Sequence, residues 1–187
     1  PGSRKKEISS LLPEFGLAAR VLLKSHPDLK FLCLRAPNIT ESYLRSFWPE
    51  YIPLTLIEPE ERYRAIKSCA IVLAASGTAT LECAIIGTPT IAAYKLSRLS
   101  YAVAKRLVKV RWMSLANLIF KETVMPELLQ DDACGANMAK LAAGWLSNPK
   151  ALAENREKLL GLREMLGPPG SADRAAAVIL QDLGCTL

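Results

Sequence analysis

The 187-residue sequence predicts an α/β fold: a parallel sheet with helices on both faces, followed by a helical tail. Two observations carry this. Short apolar runs alternate with helical patterns from Lys5 to Tyr94, and each run is apolar throughout rather than at every second residue, as a strand covered on both faces requires. Beyond Asn117 the pattern is helical only. With 50% of its residues apolar, the chain is long enough for one substantial core and short for two. Residues 1–187 are therefore read as one domain, an α/β core over about 1–130 and a tail over about 131–187.

Taken in order, Ser3 is placed to cap a helix over about Lys5 to Lys24, with Ile8, Leu11, Leu12, Phe15, Ala19 and Leu22 along one face and Pro13 as a point of kinking. Phe31 to Leu34 reads as a short buried strand, followed by a poorly defined segment that includes Ser42 to Phe47. Leu54 to Ile57 is the next strand, and a helix from about Pro59 to Ser68 carries Tyr63 and Ile66 inward. Ile71 to Ala74 is a strand that feeds a small-residue turn. The helix that opens at Thr78 ends at Gly87, the expected left-handed cap, with Pro89 blocking its continuation. Thr90 to Tyr94 is a further strand. Helices are then expected over Pro126–Gln130, Ala136–Leu146, Pro149–Leu166 and, after the break Gly167-Pro168-Pro169-Gly170, Ser171–Leu183. The tail from about Ala136 to Leu183 is long relative to the sheet and is expected to pack away from it, onto another domain or a second copy.

Composition narrows the function classes. No apolar stretch reaches bilayer-spanning length, and no apolar signal region follows Pro1-Gly2-Ser3-Arg4-Lys5-Lys6, so by its own signals the chain is neither secreted nor transmembrane. Its 5 cysteines, Cys33, Cys69, Cys83, Cys134 and Cys185, are widely spaced with no C-x-x-C pair, which reads as reduced, buried thiols rather than a disulfide or zinc framework. His26 is the single histidine, so neither a metal cluster nor a Ser-His-Asp triad is expected. A net charge of +6 and a pI near 9.2 point to acidic partners. Nucleic acid is not among those expected, because aromatic content is low and no recognition motif is visible.

The chemistry-bearing stretch is Ser76-Gly77-Thr78-Ala79-Thr80-Leu81-Glu82, a glycine-centred joint from strand to helix. At such a joint the unpaired N–H groups of the first helical turn and the positive end of the helix dipole favour an anion, and Glu82, one turn later, is placed to accept hydrogen bonds from a ribose. The same small residues also serve plain strand–helix packing, and Glu82 is equally readable as a solvent-facing helix residue. Ligands of parallel sheets gather at strand C-terminal ends, which puts this turn, the segment after Tyr94 and the turn Pro1-Gly2-Ser3-Arg4 on one rim. Pro-Gly-Ser-Arg reads as a phosphate turn or as a frayed terminus with a helix cap. A phosphate turn leaves a strand of its own domain, so the chain is expected to be cut from a longer protein.

These motifs occur in a recognisable order. Pro1-Gly2-Ser3-Arg4 with Glu7, Ser76 to Glu82, Gly87-Thr88-Pro89, Tyr94-Lys95, Ala104 to Lys109, Ser114-Leu115-Ala116-Asn117-Leu118 and Pro126-Glu127-Leu128-Leu129-Gln130 together resemble the bacterial lipid-A-disaccharide synthases, over nearly the whole chain to Gln130 and more loosely beyond. The resemblance implies the C-terminal, UDP-binding half of a GT-B fold, two Rossmann-like halves facing across a cleft, with the acceptor-binding N-terminal half absent. It implies transfer of 2,3-diacylglucosamine from its UDP donor to 2,3-diacylglucosamine 1-phosphate, with inversion and without a metal or other cofactor.

In that frame Arg4 stabilises the leaving diphosphate, and Gly2, Ser3, Arg4, Ser76, Gly77, Thr78, Ala79, Glu82, Asn117, Glu127 and Gln130 contact UDP or the sugar. Glu82 is similar to the ribose-binding glutamate of the GT-B enzyme that makes peptidoglycan lipid II. Asn117 is alternatively a turn cap, and Glu127 a residue in the first turn of a short helix. Ala116 stands where the family generally has proline, a change expected to loosen the loop presenting Asn117. Arg98 to Trp112 reads as a basic amphipathic helix, either a solvated face or, given acylated substrates, a contact with an anionic membrane through Lys105, Arg106, Lys109 and Trp112. The resemblance further implies a cytoplasmic enzyme, peripheral on the inner membrane face of a Gram-negative bacterium, and a homodimer exchanging its C-terminal tail. A different UDP-sugar reaction or a non-catalytic phosphate-binding module remains the alternative. The ordered Ser-Leu-x-Asn-Leu and Pro-Glu-Leu-Leu-Gln pair favours the lipid A enzyme.

Overall fold

The structure is a computed structural model that describes residues 1–97, 101 and 111–182. In chain order the elements are α1 (Lys5–Leu22), β1 (Phe31–Leu34), α2 (Glu41–Arg45), β2 (Leu54–Ile57), α3 (Arg62–Ser68), β3 (Val72–Ala75), α4 (Thr78–Ile86), β4 (Thr90–Tyr94), α5 (Leu115–Phe120), β5 (Glu127–Leu129), α6 (Gly135–Leu146), α7 (Pro149–Leu160), α8 (Leu162–Leu166) and α9 (Ser171–Asp182). Short 3₁₀ turns at Pro59–Glu61 and Gln130–Asp132 lead into α3 and follow β5.

Among the described residues every strand pairing is parallel, as the uninterrupted apolar runs require, but the strands form two sheets rather than one. β1 pairs with β2, Phe31 opposite Leu54 through Leu34 opposite Ile57. In the second sheet β4 is central, with Val72 of β3 opposite Thr90 and Leu129 of β5 opposite Tyr94. Helix α1 joins the two. Its residues Ile8, Leu11, Leu12, Phe15, Ala18 and Leu22 are buried in one cluster with Cys33 and Leu54 from the first sheet and Ala75, Ile91 and Ala93 from the second. Their spacing of three and four follows the helical period, so a single face carries the contact. Pro13 lies within that unbroken helix. Parallel sheets surrounded by helices, with a helical C-terminal stretch, are the architecture expected of the C-terminal half of a GT-B glycosyltransferase.

Several elements differ from expectation. Pro126–Gln130 is not a helix: Glu127–Leu129 forms β5, since backbone pairing to β4 outweighs the helix-forming tendency of Glu, Leu and Gln. The undefined segment holds α2, capped by Thr40, whose Oγ1 accepts from the Tyr43 N–H at 3.3 Å. Tyr63 faces outward and is half exposed, while Ile66 is buried as read. The tail does not leave the domain as a whole. α6 buries Met138, Ala139 and Ala142 in the α1 cluster, and Leu159 of α7 and Leu162 of α8 enter a second cluster with Cys83, Ala84, Ala116 and Met125. Among the described residues, α9 buries no side chain, and it exposes Val178 and Ile179.

Glu14 locks α1 to both the second sheet and α6. One oxygen takes the Lys95 ammonium at 2.8 Å, just past the end of β4, and the other accepts the Gly135 N–H at 2.9 Å. Burial alone would raise the Glu14 carboxyl, but the hydrogen bonds from Lys95 and Gly135 and the Lys95 charge outweigh it and hold it below the usual glutamate value. A depressed carboxyl contributes stability above its unfolded value that is lost as pH falls through the folded one. Glu14→Gln is therefore expected to lower stability by about 1–3 kcal/mol near pH 7 and by much less near pH 3, read from urea midpoints at the two pH values. An equal loss at both would contradict the charge-based account.

Candidate functional site

The site begins where β3 ends. The Ser76 N–H still donates to the Ala93 carbonyl at 2.9 Å, holding the chain on the sheet edge for one more residue. Gly77 then turns the chain at φ 156° and ψ −158°, a region essentially confined to glycine, and α4 starts at Thr78. The buried Thr80 fixes the turn from inside: its Oγ1 and N–H both return to the Gly77 carbonyl, at 2.6 and 3.2 Å. Gly77, Thr78 and Ala79 are exposed, and a Cβ on Gly77 would meet nothing within 4 Å. The N–H groups of Thr78 and Ala79, unlike that of Thr80, are the unpaired donors of a helix start, so exposed donors and the positive helix end coincide there.

The Pro1–Arg4 turn lies beside it. Gly2 takes φ +103°, and a Cβ there would fall 2.6 Å from the Glu7 carboxylate and 3.4 Å from the Ala75 side chain, so this turn sits against the last residue of β3. Asn38 donates to the Ser3 carbonyl at 3.3 Å and Tyr43 to the Lys5 carbonyl at 3.1 Å, tying the turn to α2 and the loop before it. Ser3 is not the cap of α1. Arg4 occupies that position, and Glu7 does the capping, accepting the Arg4 N–H at 3.3 Å and the Arg4 Nη1 at 2.6 Å. The Arg4 guanidinium is largely exposed at the helix start.

Glu82, in the second turn of α4, has one oxygen 3.8 Å from Nη2 of Arg62, the first residue of α3. Arg62 stacks over the Tyr63 ring at 4.4 Å and donates to its hydroxyl at 2.5 Å. Sequence reasoning passed over Arg62 because it placed Tyr63 inward. The signal was the Arg-Tyr doublet following Pro59-Glu60-Glu61 at a helix start.

Asn117, Glu127 and Gln130 each make hydrogen bonds within the chain. Asn117 is fully buried; its Oδ1 accepts from the N–H groups of Val124 and Met125 at 2.8 and 2.9 Å, and its Nδ2 donates to the Met125 carbonyl at 2.8 Å and Glu127 Oε1 at 2.7 Å. All four of its amide positions are used inside the chain, leaving none for a ligand. Ser114, not Asn117, caps the helix that follows, and Ala116 is buried in that helix rather than loosening a loop. Glu127 accepts the N–H groups of Met113 and Ser114, each at 2.8 Å. Gln130 brackets Leu96, accepting its N–H at 2.6 Å and donating to its carbonyl at 3.2 Å. The three residues thus hold loop backbone beside β5, Asn117 from a buried position and Glu127 and Gln130 from half-exposed ones.

Of the residues assigned to a membrane, Lys105, Arg106 and Lys109 lie outside the described residues. Trp112 is half-buried, its indole N–H on Thr123 Oγ1 at 2.9 Å and its ring under Arg111 at 4.8 Å. The cysteines Cys33, Cys69, Cys83 and Cys134 are free thiols, and burial pushes Cys83 up to about 11, which makes it a poor nucleophile and metal ligand. Among the described residues no group of three or more His, Cys, Asp or Glu side chains is arranged to hold a metal ion, and no helix is long and apolar enough to cross a membrane.

The chain is similar to known proteins along nearly its whole length. Residues 1–176 match the family model described as lipid-A-disaccharide synthetase. Proteins named lipid-A-disaccharide synthase from Geobacter sulfurreducens, Trichlorobacter lovleyi and Neisseria meningitidis serogroup B are 33%, 38% and 35% identical over 98%, 96% and 99% of the chain. The chain spans about half the length of these relatives: 48%, 47% and 49%. With a matching family model over residues 1–176 and relatives at least 33% identical over nearly all of the chain, the chain belongs to the lipid-A-disaccharide synthetase family of glycosyltransferases.

Proposed function

We propose that this chain is the C-terminal, UDP-sugar-binding half of an inverting GT-B glycosyltransferase that transfers 2,3-diacylglucosamine from UDP to 2,3-diacylglucosamine 1-phosphate. The observation that carries the proposal is the meeting of two glycine turns, Gly2 and Gly77, at the end of β3 beside the exposed start of α4. The backbone of Gly2, Ser3, Ser76, Gly77, Thr78 and Ala79 would receive the diphosphate, and Glu82 the ribose hydroxyls. In the reaction an acceptor hydroxyl oxygen bonds to the sugar anomeric carbon as the bond from that carbon to the UDP oxygen breaks. The electron pair leaves on the diphosphate, and the hydroxyl proton passes to a carboxylate outside this chain. Arg4, with no metal invoked, opposes the charge that grows on the diphosphate.

The same reading puts the enzyme on the cytoplasmic face of the inner membrane of a Gram-negative bacterium, held to anionic lipid by its excess of basic residues. It pairs two copies through α9, the helix that buries nothing in its own domain. The test is calorimetric titration of the 187-residue chain with UDP and, separately, AMP. UDP is expected to bind saturably and AMP not at the same concentrations; equal responses, or none, would contradict the assignment.

A further inference from the structure

Building on the reading of Glu82 as the ribose acceptor, we propose that Arg62 is a positioning residue for the nucleotide ribose: it aims the Glu82 carboxylate without consuming it. The two side chains come from different helices, the start of α3 and the second turn of α4, and meet at Nη2 to Oε1 3.8 Å. That separation is too long for a hydrogen bond. A bidentate guanidinium–carboxylate pair would fill the acceptor positions that a ribose diol needs. At 3.8 Å the charge attraction orients Glu82, and its oxygens keep their acceptor capacity for hydroxyl protons.

Arg62 is kept at that distance by its own neighbour. Its guanidinium lies over the Tyr63 ring at 4.4 Å and donates to the Tyr63 hydroxyl, so stacking and a hydrogen bond together resist its collapse onto Glu82. Arg35 makes the contrasting arrangement, closing onto Glu58 through both Nε and Nη2. The Arg35–Glu58 pair, which follows the C-terminal ends of β1 and β2, is closed, whereas the Arg62–Glu82 pair, between the start of α3 and the second turn of α4, is held open.

The test is the ratio of dissociation constants for 2′-deoxy-UDP and UDP, measured on the 187-residue chain. A ratio does not depend on the fraction of folded protein, and it reports the 2′-hydroxyl contact rather than general stability. Wild type is expected to prefer UDP by on the order of tenfold, the scale of one hydrogen bond to a charged group. Glu82→Gln, Arg62→Ala and the milder Arg62→Gln should each bring the ratio towards one. The double variant Arg62→Gln/Glu82→Gln should be no lower than Glu82→Gln alone, because both act through one contact. Arg62 variants that retain the wild-type ratio while Glu82→Gln abolishes it would overturn the positioning role and leave the UDP site standing. A wild-type ratio of one would overturn it together with the ribose role of Glu82. No saturable UDP binding by wild type would overturn the proposed function as well.

Discussion

Asn117→Leu is expected to be the most damaging single substitution for folding. It removes the acceptor of the Val124 and Met125 N–H groups and the donor to the Met125 carbonyl and Glu127, all in a fully buried position. Leucine restores apolar volume but leaves two buried N–H groups and a carbonyl without partners, at about 1–3 kcal/mol each. The sum, about 3–6 kcal/mol after partial relaxation, approaches the whole stability of an ordinary domain. Urea denaturation would show it as a midpoint shifted far to lower denaturant or as no folded protein.

Asn117→Asp separates the hydrogen-bond argument from simple packing. It keeps the acceptor but sets a second carboxylate against Glu127, so the variant should regain stability as acid lets the pair share a proton. A loss below about 1 kcal/mol for Asn117→Leu would show that the amide is not the hub described here.

Arg4→Ala should have the opposite profile, with little effect on folding and a large one on turnover. The guanidinium is largely exposed and its ion pair with Glu7 lies at the surface, where such pairs contribute little. Its place at the start of α1, in the turn packed against Ala75, is where charge would build as the diphosphate leaves. Removing one donor of that kind costs on the order of a hundredfold in rate. The assay is disaccharide formation by a protein of the relatives' full length carrying this chain, with Arg4→Lys expected to recover part of the loss. A near-normal rate for Arg4→Ala would remove Arg4 from the mechanism.

Local patterns were readable wherever the residues themselves determine the conformation. The buried face of α1 follows from apolar spacing, and β1, β2 and β4 begin and end where their apolar runs do. Gly87 ends α4 at φ 83°, the left-handed cap that its position before Thr88-Pro89 suggested. What the sequence hid were contacts between distant segments. Pro126 to Gln130 has the composition of a short helix and becomes a strand only because β4 offers an open edge. Nothing local to Asn117 and Glu127 reveals that they also bond the backbone of residues 113–125. The tail was expected to leave the domain because the apolar faces of α6 and α7 do not announce that α1 and the second cluster receive them.

UDP is proposed to bind beside the Gly2 and Gly77 turns. This is tested most directly by following the backbone amide resonances of the isotope-labelled 187-residue chain during titration with UDP and with AMP. Saturable shifts are expected at Gly77, Thr78 and Ala79 and at Ser3 and Arg4 with UDP, and none of comparable size with AMP. UDP that leaves these amides unmoved, or AMP that moves them equally, would contradict the proposal.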